Sequence, residues 1–462
     1  MINLNEKRKM PLYESVYRQL REEISDGQRK PGDKLPSKRA LAAALGISIN
    51  TVEGAYRQLE SEGYIEARPR SGFYVLPLSY LGPGMAPEPR LGQTTPAAAP
   101  EIDFAVGAVD EALFPMTVWQ RLTRAGLNTP GVLSRGDPFG DPGLRHEIAR
   151  YLARARGVRC DPEQILLGPG SDSLLRTLGS LLPESCTLVV ENPAYHKAYA
   201  HFSRMGHRVI PARMDEKGVM LEPLRDLDNA VVYTAPSHQY PLGFAMPMGR
   251  RTALLAWCAK GGFRYVVEDD YDSEFRYDAR PLPSLQSIDR AGRVIYLGTM
   301  SGVIAPSLRI SYMILPQALL QRLRDRLDPY SCNVPTLEQF TLREFMRQGY
   351  FEKHLNRMRV CYRSRRRELG ELLRPYEDSL RVIGAPAGSY ALVQVKNGLD
   401  EADLCAAALR AGVRVWPISP YFMGSVPEEY RASVLLGYGN LTSEQMRRGV
   451  ELLVKAWGLE IG

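Results

Sequence analysis

Three stretches of the chain bring together residue types that do chemistry at close spacing. "VVEDDYDSEFRYD" (266–278) runs from an apolar, β-rich stretch into a cluster of carboxylates that includes Asp269, with Tyr271 among them. Acids at the C-terminal end of a strand lie where α/β sheets bind ligands, and a carboxylate there holds a ring N–H or a cation; a solvated acidic loop is the plainer alternative. "GTMSGVIAPSLRISY" (298–312) offers Thr299, Ser301 and Arg309, two hydroxyls and a guanidinium suited to a phosphate. "LLGPGSDSLLRTLGSLL" (166–182) reads as a strand end, a Gly-rich turn and a helix start, with Ser171 and Asp172 at the turn. Free N–H groups at such a start cradle phosphates, although an ordinary strand-to-helix turn has the same pattern. Two loops add single residues: Tyr195 in "ENPAYHKA" (191–198), a ring to stack or simply to pack, and His238 in "TAPSHQYPLG" (234–243), free to face a ligand.

A phosphate cradle, an acid for a ring nitrogen and a stacking ring are parts of a site for pyridoxal 5'-phosphate. Such a site also needs a lysine amine to form the Schiff base that substrate amines displace.

Positioning these groups requires a sheet. Apolar runs at 187–190, 207–212, 230–235, 264–269 and 293–298 alternate with helical stretches. Parallel strands need crossover helices, so the alternation predicts an α/β, mostly parallel, doubly wound sheet with helices on both faces. "SYALVQV" (389–395) and "VRVWPI" (413–418) flank a helical stretch and predict a small C-terminal α+β subdomain over 380–462. Residues 78–100, rich in Pro, Gly and Ala and without a period, read as a linker. They separate a small domain, 1–77, from a large one, 101–462.

In the small domain, Leu12, Val16, Leu20 and Ile24 form one apolar stripe. Ser37 is placed to cap a second helix that buries Leu41, Ala44 and Leu45 and stops at Gly46, and Ser48 to cap a third. The third helix turns Val52, Ala55, Tyr56 and Leu59 inward and Ile49, Asn50 and Thr51 outward at its N-terminal end. Two short helices joined by "GIS", then "GYIEARPRSGFYV" as two strands around a basic turn, have the proportions of a winged helix-turn-helix. Ser48, Asn50 and Thr51 would meet base edges or phosphate, Lys38 and Arg39 the backbone or bases, and Arg68 and Arg70 would charge the wing tip. Residues 1–77 hold 13 Lys and Arg against 10 Asp and Glu, so affinity for DNA must come from clustering. The bland alternative is a helical packing domain with a solvated basic face.

The phrases occur in a familiar order. "PGDKLPSKRALAAALGISINTVEGAYRQLESEGYI" with "RSGFYV" resembles the GntR class of winged helix-turn-helix repressors, departing where Ile49 replaces a common arginine and Arg70 a common glycine. The large domain resembles fold-type I, aspartate-aminotransferase-like enzymes, and "SHQYP-LG", "EDDYDSEFRYD" and "PSLR" are similar to phrases of the MocR (GabR-like) regulators. The resemblance implies that Asp269 pairs the pyridine nitrogen, Tyr271 approaches the ring hydroxyl, Tyr195 stacks, His238 lines the site, and Arg309 and Ser301 meet the phosphate. It also implies a homodimer arranged head to tail, a double-stranded DNA operator and a small-molecule effector.

Three departures bear on chemistry. Gly302 takes the lysine position, so no internal aldimine forms there; pyridoxal 5'-phosphate is left to bind without a covalent bond or not at all. Leu435 stands where an arginine fork commonly holds a substrate carboxylate, and Asp172-Ser173 replaces a Gln-Gln-like pair. The expected function is a transcriptional regulator with a degenerate, ligand-sensing domain rather than an enzyme. The alternatives are a working pyridoxal-phosphate protein using another lysine, such as Lys197 two residues after Tyr195, and a pure dimerisation scaffold.

Composition narrows the setting. The net charge of +7 permits nucleic-acid contact without showing it. Six scattered cysteines without a C-x-x-C favour reduced thiols over disulfides or zinc. No long apolar run predicts a membrane span and no apolar core marks a signal peptide, so the expected location is the cytoplasm.

Overall fold

The computed structural model describes residues 11–78, 100–277, 282–326, 332–384 and 387–460. Nearly all of the expected 78–100 linker lies outside the described residues. The chain divides into two compact units, Met1–Ala98 and Ala99–Gly462.

The first unit is three helices and a hairpin. Helix α1 (Leu12–Ser25) buries Val16, Tyr17, Leu20 and Ile24. Leu12, expected in that stripe, is 51% exposed: it sits in the first turn after Pro11, short of the core, and Tyr17 fills the face instead. Helix α2 (Lys38–Leu45) is capped by Ser37, whose hydroxyl accepts from the Ala40 N–H, and ends at Gly46 in the left-handed region. It buries Leu41 and Ala42. Ala44 is exposed and Leu45 half-buried, contrary to expectation, because so short a helix turns only one edge inward. In α3 (Ile49–Ser61) Ser48 accepts from the Thr51 N–H, and Val52, Ala55, Tyr56 and Leu59 are fully buried as the period predicts. Truncating a side chain such as Leu59 to Ala costs about 2–5 kcal/mol. Strands β1 (Ile65–Arg68) and β2 (Gly72–Val75) pair antiparallel, and Arg70 lies in their turn with φ 62°.

The second unit holds a seven-stranded sheet. Its order is Ile165–Pro169, Ile310–Ile314, Val294–Thr299, Phe263–Asp270, Asn229–Thr234, Thr187–Glu191, Arg208–Ala212. Ile310–Ile314 is antiparallel to both neighbours; the pairings from Val294–Thr299 through to Arg208–Ala212 are parallel. Apolar clusters cover both faces: Leu174, Leu178 and Phe202 from the Ser171–Leu181 and His196–Arg204 helices on one, Leu254 and Trp257 from Met248–Ala259 on the other.

A four-stranded sheet (Leu380–Ile383, Tyr390–Val395, Ser433–Gly437, Trp416–Pro417) packs with the Glu401–Arg410 and Ser443–Ala456 helices into a smaller core. The single strand expected over 413–418 is broken. Val413–Arg414 pairs parallel with Ile102–Asp103, while Trp416–Pro417 joins the four-stranded sheet. Val415 is buried at the switch, and Pro417, without an N–H, stops the ladder. Among the described residues no helix is long and apolar enough to cross a membrane.

Candidate functional site

At the carboxyl edge of the parallel strands lies a cavity of about 410 Å³, the size of a small-molecule site. Each strand delivers its part by ending there. After Ile165–Pro169, Gly170 adopts φ 85° and Ser171 opens the Ser171–Leu181 helix, so unpaired N–H groups sit at the wall. A Cβ on Gly170 would lie 2.3 Å from the Arg309 guanidinium, so glycine is what lets that cation close over the turn. Arg309 itself has φ 51° and, among the described residues, is the only lysine or arginine in the lining. Thr299 ends the Val294–Thr299 strand; its Oγ accepts from the Ser311 hydroxyl (2.9 Å) and the Ser301 N–H (3.2 Å). Ser171, Thr299, Ser301, Ser311 and Arg309 form a cradle suited to a phosphate.

Asp269 lines the same cavity from the end of Phe263–Asp270. Its hydrogen-bond partner is the Tyr233 hydroxyl, which donates to one carboxylate oxygen. Burial pushes the Asp269 carboxyl up to about 7; the Tyr233 bond opposes this and the neighbouring Asp270 and Asp272 add to it. A cation or a protonated ring nitrogen beside Asp269 would relieve that cost. Tyr271 lines the wall with its hydroxyl 3.1 Å from His238 Nδ1 and 3.3 Å from the Tyr390 hydroxyl. Tyr240 packs edge-on against Tyr271, Tyr390 and Tyr421 at 5.8, 5.5 and 4.9 Å, giving an aromatic wall.

Two expected site residues stand elsewhere. His238 is buried behind Tyr271, not in the lining, with Nδ1 2.7 Å from Asp272 Oδ2; the adjacent carboxylate draws the ring away from the ligand side. Asp172 is also outside the lining and accepts from the Tyr195 hydroxyl and the Lys197 ammonium, both at 3.1 Å. Burial resists its ionisation, but these two donors override it and hold its carboxyl below the usual range. Its charge is thereby balanced before it reaches the cradle, with Arg309 3.8 Å away. Tyr195 lines the cavity while its hydroxyl is tied to Asp172.

Gly302 lines the cavity, and among the described residues the lining contains no lysine. Lys197 is committed to Asp172. Leu435 is fully buried with Leu242, Leu392 and Ile418, where no carboxylate could reach it.

The sequence reading missed Tyr240, Asp272, Tyr390, Tyr421, His196 and the 106–108 stretch as lining. Tyr240 and Asp272 fall within the phrases singled out above; Tyr390 and Tyr421 come from the small subdomain and carry no local signal. A more open depression of about 670 Å³ runs along Arg363, Arg366, Arg367 and Arg374.

In the first unit, Asn50 and Arg39 are exposed, and Ser48 and Thr51 hydroxyls bond each other at 2.8 Å beside the α3 N-terminus. Arg70 projects from the wing turn. Lys38 is not free: its Nζ lies 2.9 Å from Glu53 Oε1 and over the Phe73 ring. Arg68 pairs with Glu66 at 2.6 Å and stacks on Tyr74 at 4.4 Å. Arg57, overlooked in the sequence, is 79% exposed one turn beyond Glu53 on α3.

Comparison with known proteins agrees with this geometry. Residues 12–75 match the family of bacterial regulatory proteins, gntR family, and residues 99–453 match aminotransferase class I and II. The chain is 37% identical to the HTH-type transcriptional regulator YhdI of Bacillus subtilis over 98% of this chain and 97% of that one. It is 32% identical to the "Probable rhizopine catabolism regulatory protein MocR" of Rhizobium meliloti, over 99% and 96%. Among solved structures, an archaeal alanine:glyoxylate aminotransferase superposes with TM-score 0.70 at 25% identity, covering 77% of this chain and 90% of that one.

Proposed function

Since the chain belongs to the MocR-type transcriptional regulators, a gntR-family helix-turn-helix fused to an aminotransferase class I and II domain, we propose that it binds a DNA operator under the control of a small molecule held without a covalent bond. The observation that carries this reading is a cavity that keeps a carboxylate, a phosphate cradle and an aromatic wall while no lysine among the described residues lines it. Gly302 stands at the position of the cofactor lysine, and Leu435 at that of the carboxylate-binding arginine. The chain is accordingly a regulator and not an aminotransferase.

The residues present fit pyridoxal 5'-phosphate as a non-covalent ligand. Ser171, Ser301, Thr299 and Arg309 would hold its phosphate, Asp269 its ring nitrogen, and Tyr271 its ring hydroxyl. When bound, the group supplies an electron-poor ring, which protonation at the nitrogen strengthens. Asp269 would hold that nitrogen protonated, and the tyrosines would shield the ring from water. Operator recognition rests on Asn50, Arg39 and Arg70. An effector that favours one arrangement of the protein shifts operator affinity by ordinary linkage, about tenfold for each 1.4 kcal/mol of preference. A cytoplasmic homodimer with domains 1–77 and 101–462, joined by 78–100 and paired head to tail, completes the proposal.

The test is an absorbance spectrum and an intact mass of the full chain, with and without added pyridoxal 5'-phosphate, before and after borohydride. No lysine-bound band and no stoichiometric mass gain are expected. A covalent adduct together with turnover of an amino donor refutes the reading.

A further inference from the structure

Four glycines line the cavity, and three have a reason to be glycine. Gly107 and Gly170 adopt φ 77° and 85°, and a Cβ on Gly298 would lie 2.4 Å from the Tyr312 ring. Gly302 has neither constraint: its φ is outside the left-handed region, and an added Cβ would meet one atom within 4 Å, the Tyr271 carbonyl oxygen at 3.5 Å. The backbone tolerates a side chain there and the space for its first atom is free. What glycine leaves at this point is room on the ligand side, next to a hydrogen-bond acceptor.

The charge of the lining points the same way. Asp269 and Asp272 both line the cavity, Asp272 with one oxygen 2.7 Å from His238 Nδ1, and among the described residues Arg309, at the phosphate cradle, is the one lysine or arginine in the lining. Away from the cradle the wall offers carboxylate, carbonyl and hydroxyl acceptors. A ligand group beside Gly302 that carries N–H donors finds an acceptor in the Tyr271 carbonyl oxygen, and one without a donor leaves that acceptor unpaired. In a site with a lysine, the protein supplies the amine and the ligand an aldehyde. Here the roles are exchanged.

We propose that the cavity selects the amine form of the phosphorylated vitamer, pyridoxamine 5'-phosphate, over the aldehyde form, with the aminomethyl group in the space beside Gly302 and the Tyr271 carbonyl oxygen as acceptor. The inference rests on the non-covalent reading above and adds to it which form is sensed. An ammonium-to-carbonyl bond in a shielded site favours the amine by about tenfold to a hundredfold over a ligand lacking it.

The experiment is isothermal titration of the full-length protein with pyridoxamine, pyridoxal and pyridoxine 5'-phosphates and with inorganic phosphate. Borohydride and intact mass identify any aldehyde captured covalently on a surface amine. The amine form should bind at least about tenfold more tightly than the alcohol and the non-covalent aldehyde. Gly302→Met fills the space with an uncharged stem and should remove the preference; Gly302→Ala, the milder variant, should reduce it, and circular dichroism checks that both fold. Gly302→Lys should turn the preference towards the aldehyde and bring a visible absorbance band. Equal binding of the amine and alcohol forms by wild type, or a preference unchanged in a folded Gly302→Met, overturns the inference alone. Failure of all three vitamers to bind overturns the underlying reading as well.

Discussion

Asp269 offers a quantitative test of how the cavity is built. Its carboxyl is moved from an ordinary 3.8 to about 7, chiefly by burial, with Asp270 and Asp272 adding to the shift. A carboxyl raised in the folded state stabilises the fold at low pH, and that contribution is lost as pH climbs through about 7. The full shift corresponds to about 4 kcal/mol. The carboxylate is half-buried and open to the cavity, so solvent reduces this to about 2 kcal/mol. Asp269→Asn keeps an acceptor for Tyr233 and removes the charge. With an unfolding entropy of about 2.1 cal/mol/K per residue over a unit of roughly 360 residues, 2 kcal/mol is about 3 °C. Ligand-free protein should therefore melt about 3 °C higher in the variant than in wild type at pH 8.5, the difference falling to about 1 °C at pH 5 and vanishing towards pH 4. Glu268 and Glu274, also pushed up to about 7, shift both proteins alike, whereas Glu191, raised in part by the Asp269 charge, is relieved slightly in the variant and adds to the difference. Differential scanning calorimetry across that range is the assay. A variant that melts lower at pH 8.5, or a difference that does not change with pH, would show that the ionised Asp269 is already compensated within the protein.

Four further outcomes are expected. Arg39→Ala and Arg70→Ala should each weaken operator binding and lower the slope of log affinity against log salt by about one, read by fluorescence anisotropy. Lys38→Ala should change that slope less, because Glu53 already engages the ammonium. Arg70→Gly should relieve a left-handed arginine and stabilise the first unit by up to about 1 kcal/mol while weakening DNA binding, which separates fold from function at one residue. Ser37→Ala should cost about 1 kcal/mol of stability through the lost cap, measured by denaturant titration.

What was legible in the sequence was local. The caps at Ser37 and Ser48, the inner face of α3 and the strands around 187–190 and 264–269 follow from hydroxyl placement and apolar period, which act over a few residues. Where local and tertiary demands part, the sequence misleads. Leu12 belongs to the stripe by spacing but has no core beneath it, and the 413–418 run looks like one strand because nothing nearby reveals that its halves pair with different partners. The cavity was half visible. Asp269, Ser301 and Arg309 stand in recognisable phrases at strand ends, whereas Tyr390 and Tyr421 reach the site only because the small subdomain is folded against it. His238 and Asp172 were placed with the right neighbours but facing the wrong way: each is satisfied by an oppositely charged or hydrogen-bonding group that spacing alone does not disclose.

The short pairing of Ile102–Asp103 with Val413–Arg414 has a mechanical corollary. Ile102 N–H donates to Gly412, Phe104 N–H to Arg414, and Gly437 N–H to Phe104, so the chain emerging from residue 100 is stitched to the small subdomain. A few residues on, Val106, Gly107 and Ala108 form part of the cavity wall. The same ribbon of backbone therefore carries both the pairing with the small subdomain and a wall of the cavity, so a displacement of one strains the other.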